Sequence, residues 1–180
     1  MILRPVMVKD FEAWKLMVRE LRDGYSSWDE ALTRDQFEQD IDRTWQQFSC
    51  ATTHPEYTEC VVAEHGGRLV GFMHMTFPVM PMWGPPMLYV ADIFVSAEFR
   101  RRGIARAMLE LAIGRGRRRG VRHVWWVTAH DNPARHLYDQ YAPSESCQMY
   151  WLDIRQSTEN FALAERAMAK RIAEHDGKGL

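Results

Sequence analysis

Hydrophobic residues at helical spacing dominate the first part of the chain. In two stretches they recur every three or four positions, the period of a helix with one buried face. The first stretch predicts a helix over 10–23 and the second a helix over 33–48. The apolar stripes are Phe11, Trp14, Val18 and Leu21 in the first helix, and Phe37, Ile41, Trp45 and Phe48 in the second.

The pattern then changes to short apolar runs bounded by glycine and proline, which are typical of β-strands. A pair of glycines at 66 and 67 separates the first two runs and indicates a hairpin turn. Counting a short leading segment, the predicted extended elements are 2–5, 59–64, 69–77, 87–95, 121–128 and 147–154. Helical spacing returns over 104–119, 132–141 and 158–175.

This order of elements predicts an α/β protein, or α+β in some classification schemes. We expect a mixed, mostly antiparallel sheet of six to seven strands, flanked by helices. The 180 residues suffice for one sizeable core and are too few for two ordinary domains. We therefore expect a single domain over 1–156 and a C-terminal helical tail over 157–180, part of the same domain or appended to it.

Composition excludes several classes of protein. The formal net charge of −1 argues against a nucleic-acid partner, because nucleic-acid modules are usually markedly basic. No apolar run approaches the roughly 18–20 residues that cross a bilayer, so we expect no membrane partner. The start of the chain lacks the apolar stretch of a signal peptide, which predicts a soluble, cytoplasmic protein. The three cysteines, Cys50, Cys60 and Cys147, lack CxxC spacing, so neither a disulfide framework nor a metal site is expected.

The near-neutral charge hides an uneven distribution. Residues 10–64 carry 13 acidic and five basic side chains, a local net charge of −8. Residues 100–122 carry nine arginines and one glutamate, a local net charge of +8. A basic block inside a neutral domain can attract a polyanionic ligand through its local field, or can simply be a solvated helix face.

The basic block begins where an apolar strand gives way to a helix. The first turn of a helix leaves backbone N–H groups without intrahelical acceptors, and the helix dipole favours an anion there. Gly103 and Ala105, on either side of Ile104, are small and let a phosphate approach the backbone. Arg100, Arg101 and Arg102 add positive charge. The turn therefore predicts a phosphate or pyrophosphate site; the alternative is an ordinary strand-to-helix turn with an arginine-rich surface.

Two ordered motifs resemble those of the GNAT superfamily of N-acetyltransferases. Arg100-x-x-Gly103-x-Ala105 is similar to the R/Q-x-x-G-x-G/A motif of that family. Downstream, Asn132-Pro133-Ala134-Arg135-His136-Leu137-Tyr138 is similar to its second motif, N-x-x-A-x-x-L-Y. The resemblance covers roughly 58–154. It departs after Tyr138, where family members often carry Gly-Phe and this chain continues Tyr141-Ala142-Pro143.

The resemblance implies acetyl-CoA as the acyl donor and assigns roles to single residues. In the family, the central strand and its parallel neighbour splay apart and admit the pantetheine arm. The backbone of Ile93 and Val95 would then pair with pantetheine amides, and residues 100–105 would hold the pyrophosphate. Asn132 would reach the cofactor arm, or would only cap the following helix beside Pro133. Tyr138 would protonate the departing thiolate, or would only pack its ring in the core.

Asp92 is the candidate general base, because a carboxylate in the apolar run 88–95 is unfavourable unless it is paired or faces a cleft. The alternative is a structural role as a partner of an arginine or a backbone group. His74 and His130 are further titratable residues for which structural or exposed positions are expected. Trp125 and Trp126 must face opposite sides of a strand, and the sequence does not decide which of them lies in the core.

The leading functional hypothesis is direct acetyl transfer from acetyl-CoA to a primary amine of a small molecule. The alternatives are a non-catalytic acyl-CoA-binding or sensing module and an interaction protein whose arginine block meets an acidic partner. The acidic excess over 10–64, with Asp23, Asp29, Glu30 and Asp35 around an aromatic loop, favours a cationic amine; the alternative is that these carboxylates only solvate two surface helices. Dimerisation is common in such folds, so the resemblance also allows a homodimer.

Overall fold

A five-stranded sheet organises the part of the chain that the structure describes. The structure is a computed structural model that describes residues 1–24, 33–50, 57–79 and 87–143. The strands lie side by side in chain order and are β1 Ile2–Pro5, β2 Thr58–His65, β3 Arg68–Thr76, β4 Leu88–Val95 and β5 Val124–Trp125. Strands β1 to β4 pair antiparallel, and β5 pairs parallel to β4. The predicted α/β class and the mixed, mostly antiparallel sheet are therefore confirmed.

The number of described strands is five, against the six to seven expected. The predicted strand over 147–154 and the predicted tail helix over 158–175 lie outside the described residues. Contacts divide the chain into two compact units, Met1–Leu137 and Tyr138–Leu180. The second unit is described only over 138–143, so the predicted boundary between 156 and 157 stays a prediction.

The β2–β3 hairpin follows directly from its two glycines. Gly66 and Gly67 have φ angles of 58° and 77°, the left-handed conformation that both central residues of a type I′ turn require. The turn joins His65, the last residue of β2, to Arg68, the first residue of β3. The predicted hairpin is thus confirmed with its two-residue loop.

Within the described residues, four α-helices accompany the sheet: α1 Phe11–Asp23, α2 Arg34–Cys50, α3 Ile104–Arg118 and α4 Arg135–Tyr138. Helix α2 begins with a reciprocal cap, in which the Gln36 N–H donates to Thr33 Oγ1 and the Thr33 N–H donates to Gln36 Oε1. Helix α4 is shorter than the predicted 132–141, because residues 132–134 form a turn around Pro133 before the helix begins. None of the helices in the described ranges is long and apolar enough to span a bilayer.

The helices of the first unit cover both faces of the sheet. On one face α3 packs Ile104, Met108 and Ala112 against a core that includes Val61 and Met73. On the opposite face α1 contributes Trp14 and Met17, and α2 contributes Ile41, to a second core with Phe72 and Phe94. Side chains alternate between the two faces along each strand. Because helices cover both faces, consecutive residues of a strand can all be buried.

Strand β4 contains a β-bulge that interrupts this alternation. His74 pairs with Asp92 and Met75 pairs with Val90, so Ala91 has no opposite residue on β3. A bulge bends its strand and increases the local twist. Consequently Leu88 and Val90 lie in the same core as Val95, although an unbroken strand would place them on opposite faces.

Strand β5 covers only Val124–Trp125, much less than the predicted 121–128. Its two paired positions are Leu88 with Val124 and Tyr89 with Trp125, both before the bulge. A ladder continues only while neighbouring strands stay about 4.8 Å apart. The bend of β4 therefore accounts for the early end of β5.

Candidate active site

Strands β4 and β5 separate after the first two residues of β4. Beyond Tyr89, the edge of β4 that faces β5 has no strand partner among the described residues. Unpaired N–H and C=O groups on such an edge are available to any extended ligand with amide groups. The splayed strand pair that the family resemblance implied is present in the sheet.

The turn between β4 and α3 presents backbone donors at the other end of this edge. Arg101 and Gly103 adopt left-handed φ angles of 62° and 79°, and Gly103 is the N-cap of α3. The Ala107 N–H closes the first helical turn by donating to the Gly103 carbonyl at 2.9 Å. The N–H groups before Ala107 have no helical acceptor, as at every helix start. A Cβ built on Gly103 meets no atom within 4 Å, so the space in front of these donors is open.

The arginines of this turn shape its backbone. Arg100 Nε donates to the Val95 carbonyl at 2.9 Å, and Arg102 Nη2 donates to the Glu98 carbonyl at 3.0 Å. The Arg102 guanidinium also lies 5.1 Å from the centre of the Phe99 ring. All three arginines are exposed, so their positive charge faces the solvent around the turn.

The remaining predicted residues of the turn and strand lie partly inside the molecule. Ile104 is buried in the α3 core, and Ala105 is half-buried against it. Ile93 pairs with Met73 of β3, and Val95 pairs with Gly71. The structure therefore brings Ile93, Val95 and residues 100–105 together along one strand and the turn that follows it.

Asp92 lies on the face opposite to Ile93 and forms a hydrogen-bonded chain with two residues that the sequence analysis did not connect to it. Asp92 Oδ2 is 3.0 Å from His74 Nδ1, and the Trp14 indole Nε1–H donates to His74 Nε2 at 3.1 Å. The His74 side chain is 7% exposed, whereas the Asp92 side chain is 40% exposed. This series of hydrogen bonds thus leads from a fully buried indole to a carboxylate that solvent can reach.

A signal for His74 exists in the sequence. It lies between Met73 and Met75 in an apolar strand, where an imidazole needs hydrogen-bond partners as much as Asp92 does. Its partner Trp14 is 60 positions away and is an ordinary member of a helical stripe. Only the packing of α1 on β3 reveals that the two residues meet.

The protonation state of His74 follows from the groups that contact its ring. Burial is the strongest influence and lowers the pKa of the imidazole, while Cys60 and Asp92 raise it, to about 9 on balance. The indole N–H opposes the charged ring, because a protonated Nε2 cannot accept a hydrogen bond. Because Nε2 accepts the indole N–H, the ring in this arrangement is neutral, with its proton on Nδ1 and donated to Asp92.

Two aromatic rings stand on the same face as Asp92. Tyr89 and Trp125 pack against each other with ring centroids 4.2 Å apart and an interplanar angle of 31°. Burial raises the pKa of the Tyr89 hydroxyl, and the nearby Asp92 carboxylate raises it further. Trp125 Nε1 is buried and has no hydrogen-bond partner within the described residues. Trp126, in contrast, packs against the α3 core, which answers the question that the sequence left open.

Asn132 caps the turn that precedes α4. Its Oδ1 accepts a hydrogen bond from the Ala134 N–H at 2.9 Å, and its Nδ2 donates to Thr128 Oγ1 at 2.8 Å. This is the capping role that an Asn-Pro start to a helix predicts. The interaction also ties the turn to the segment that follows β5.

Comparison with known proteins agrees with this architecture. The sequence matches the model of the Acetyltransferase (GNAT) family over residues 14–142, which is more than half of the chain. The chain belongs to the GNAT acetyltransferase family. It is thus an acyltransferase, and the acyl donor of the family is acetyl-CoA. No curated protein matches the sequence significantly.

Solved GNAT-like structures share the fold at low sequence identity. A ribosomal-protein-alanine N-acetyltransferase from Brucella melitensis biovar Abortus 2308 is 19% identical, with a TM-score of 0.65 over 85% of this chain and 98% of that chain. AAC(6')-Iy in complex with a bisubstrate analogue, CoA-S-monomethyl-acetylneamine, is 19% identical, with a TM-score of 0.62 over 84% and 97%. A transcriptional regulator from Bacillus halodurans C-125 is 21% identical, with a TM-score of 0.62 over 83% and 99%. At these identities the likeness shows the shared fold.

The features of this GNAT domain fit an acyl-CoA. A diphosphate needs several converging donors and room to approach them, and the turn at 100–105 offers both. An amide-containing arm needs an unpaired strand edge, which β4 offers after Tyr89. Tyr138, the predicted general acid, ends α4 and is the first residue of the second unit. Its role stays a prediction.

Proposed function

We propose that the protein transfers an acetyl group from acetyl-CoA directly to a primary amine of a small molecule in the cytoplasm. The observation that carries this proposal is the half-exposed carboxylate of Asp92. It lies on the strand whose edge is free, and a buried histidine holds it. A carboxylate so placed can accept a proton from an amine, directly or through one water molecule.

The donor half of the site consists of backbone groups and arginines. The N–H groups at 100–105 would hold the pyrophosphate, with Arg100, Arg101 and Arg102 supplying positive charge. The backbone of Ile93 and Val95 would bind the pantetheine arm, and Asn132 would reach it from the turn before α4. Acetyl-CoA supplies the activated thioester; the residues of the chain orient it and exclude water from it.

Two residues carry out the two proton transfers of the reaction. An ammonium is not a nucleophile, so the amine must lose a proton, and we assign its removal to Asp92. The departing thiolate needs a proton, which we assign to the Tyr138 hydroxyl. The ordinary pKa of tyrosine is about 10 and that of a thiol about 8.5, so this transfer needs a short contact and a water-poor site.

The surroundings of Asp92 support an amine that arrives as a cation. The carboxylate attracts an ammonium, and the adjacent rings of Tyr89 and Trp125 on the same face can add cation–π attraction. One solved GNAT-like structure holds an acetylneamine-based analogue, whereas another is that of a ribosomal-protein-alanine acetyltransferase.

The test is thiol release from acetyl-CoA in the presence of a panel of amines. We expect release that depends on one class of small primary amine, and a loss of about 100-fold or more in kcat for Asp92→Asn. Asp40→Asn, which removes a surface carboxylate of α2 3.5 Å from Arg43, serves as the matched control. Coenzyme A binding without thiol release from any amine would contradict the proposal and favour a non-catalytic acyl-CoA-binding module.

A further inference from the structure

The hydrogen bonds that link Trp14, His74 and Asp92 involve both ring nitrogens of His74. A neutral buried histidine needs an acceptor for its N–H and a donor for its other ring nitrogen. If its role were packing alone, many different groups could be those partners. Here one partner is an indole and the other is the carboxylate proposed as the base. The choice of partners restricts the ring to one protonation state.

The restriction arises because an indole can only donate. Since Trp14 Nε1–H donates to Nε2, that nitrogen must carry a lone pair. The ring proton is then on Nδ1 and points to Asp92 Oδ2. The other tautomer and the imidazolium would each place two N–H donors face to face.

Cys60 is a further hydrogen-bond partner of the ring beside Trp14 and Asp92. The titratable residues that face His74 are Cys60 on β2 and Asp92 on β4. Helix α1 presents the Trp14 ring, 5.7 Å away between centroids, and β3 itself presents Phe72 at 4.8 Å. Asp92 Oδ1 has no hydrogen-bond partner within the described ranges, which leaves it available to the half-exposed side of the residue.

We infer that His74 is a positioning residue for acetyl transfer, with Trp14 fixing its proton on Nδ1 so that Asp92 is held with one oxygen bound and the other available to the amine. The inference rests on the proposed function, in which Asp92 is the base. During the reaction the proton of the ammonium passes to Asp92 Oδ1, and His74 keeps its own proton. Transfer onward to His74 is blocked, because the indole occupies the only vacant nitrogen.

Two substitutions of His74 separate positioning from packing. In His74→Asn the amide nitrogen can replace Nδ1 and still donate to Asp92, whereas in His74→Gln the amide lies nearer to the position of Nε2. We expect His74→Gln to lower kcat by about tenfold or more, with little change in the KM for acetyl-CoA. His74→Asn should retain more of the activity and the shape of the pH–rate profile. Equal losses in both variants, or none, would overturn the inference.

Trp14→Phe tests the fixing of the proton. Without the indole donor, Nε2 can be protonated and the imidazolium can pair with Asp92, which weakens the base. We expect the plateau of kcat/KM to fall and its acidic limb to move to lower pH by about half a unit to one unit, because an imidazolium lowers the pKa of the Asp92 carboxyl group. An unchanged limb in a folded variant would contradict the role of Trp14.

A spectroscopic measurement decides the point even if a variant fails to fold. In the wild-type protein at pH 7.5, the ring ¹⁵N shifts of His74 should show a protonated Nδ1 and a bare Nε2. An imidazolium or the opposite tautomer would overturn the inference.

If Asp92→Asn keeps the full rate, the proposed base itself is wrong. If Asp92→Asn is slow while His74→Gln and Trp14→Phe behave like the wild type, only the inference about His74 is wrong.

Discussion

At the scale of single residues, the arginines of the turn after β4 show how charge and backbone geometry are combined. Arg100 and Arg102 each donate to a carbonyl of the preceding segment, so they hold the turn as well as charging it. Arg101 adopts a left-handed conformation, unusual for a residue with a side chain. Lysine could replace the charge of Arg100 but not the planar, directional donor that bonds to Val95.

Asp10 also combines charge with directional hydrogen bonds, here in a structural role. It accepts hydrogen bonds from both terminal nitrogens of Arg4, at 2.7 and 3.0 Å, and from the Met7 N–H at 2.7 Å. The side chain is 5% exposed. Burial raises the pKa of Asp10, but the hydrogen bonds from Arg4 and Met7 outweigh it and leave the pKa lowered.

We predict that Asp10→Asn lowers the free energy of unfolding at pH 7 by about 2 kcal/mol, because it weakens charge-assisted hydrogen bonds. A lowered folded-state pKa means that the contribution is fully present above the unfolded-state pKa, about 3.9 for an aspartate, and is lost as the pH falls through the folded value. Denaturant titrations at pH 7 and pH 3 should therefore show a smaller difference at pH 3. Asp40→Asn is the surface control, and an equal difference at both pH values would contradict the assignment.

Tyr138 carries a prediction about catalysis alone. If its hydroxyl protonates the departing thiolate, Tyr138→Phe should lower kcat by about 100-fold and leave the affinity for acetyl-CoA nearly unchanged. Pre-steady-state thiol release and equilibrium binding measure the two quantities separately. Tyr141→Phe, three positions further along, is the matched control. Wild-type turnover of Tyr138→Phe across the pH range would remove this residue from the mechanism.

At the scale of elements, local patterns were sufficient where local physics decides the structure. The hairpin follows from Gly66-Gly67, and α3, observed as Ile104–Arg118, follows from its apolar stripe and glycine start. The bulge at Ala91 and the short β5 could not be predicted, because pairing between distant strands determines both. The same distinction holds for the candidate site. The turn at 100–105 can be predicted from the sequence, whereas the contact of Trp14 with His74 depends on tertiary packing.

The start of α3 yields a test of the phosphate turn. Gly103 has a φ of +79° and open space at its Cβ position, so Gly103→Ala should destabilise the fold only by backbone strain, about 1–2 kcal/mol. The added methyl group would lie where a phosphate must approach the backbone. We therefore expect the Kd for acetyl-CoA to rise by about tenfold or more, measured by calorimetry.

Gly120 provides a matched control at the other end of the same helix. Its φ is +68° and its Cβ position is equally open. Gly120→Ala should show a similar loss of stability and an unchanged Kd. Equal effects of the two substitutions on acetyl-CoA binding would mean that the loss comes from strain and not from the phosphate site.

At the scale of the whole molecule, the acidic excess over 10–64 is smaller than the sequence count implies. Arg4, which lies outside that range, pairs with Asp10 and Glu64. Glu59 pairs with Arg115 and Arg119 of the basic block, which thereby loses part of its own field. Asp23 and Asp35 are exposed and form no ion pair within the described residues, while Asp29 and Glu30 lie outside them.

The field that remains can be tested through the rate of reaction with charged acceptors. If Asp92 and the unpaired carboxylates of α1 and α2 draw in an ammonium, kcat/KM for a cationic amine should fall several-fold as salt rises. Raising the ionic strength from about 0.05 to 0.5 M shortens the screening length from about 14 to about 4 Å. A primary amine of low basicity, neutral at the assay pH, is the matched control and should show little salt dependence.

The double variant Asp23→Asn, Asp35→Asn locates the source of the field. We expect a weaker salt dependence for the cationic amine and an unchanged rate for the neutral one, because these exposed carboxylates act at a distance and not on the reacting atoms. A salt dependence that is identical in the variant would place the attraction at Asp92 alone. If only neutral or anionic amines react, the cationic acceptor is wrong, and the acceptor contacts should be sought around Met80, Met82 and Trp83, which lie outside the described residues.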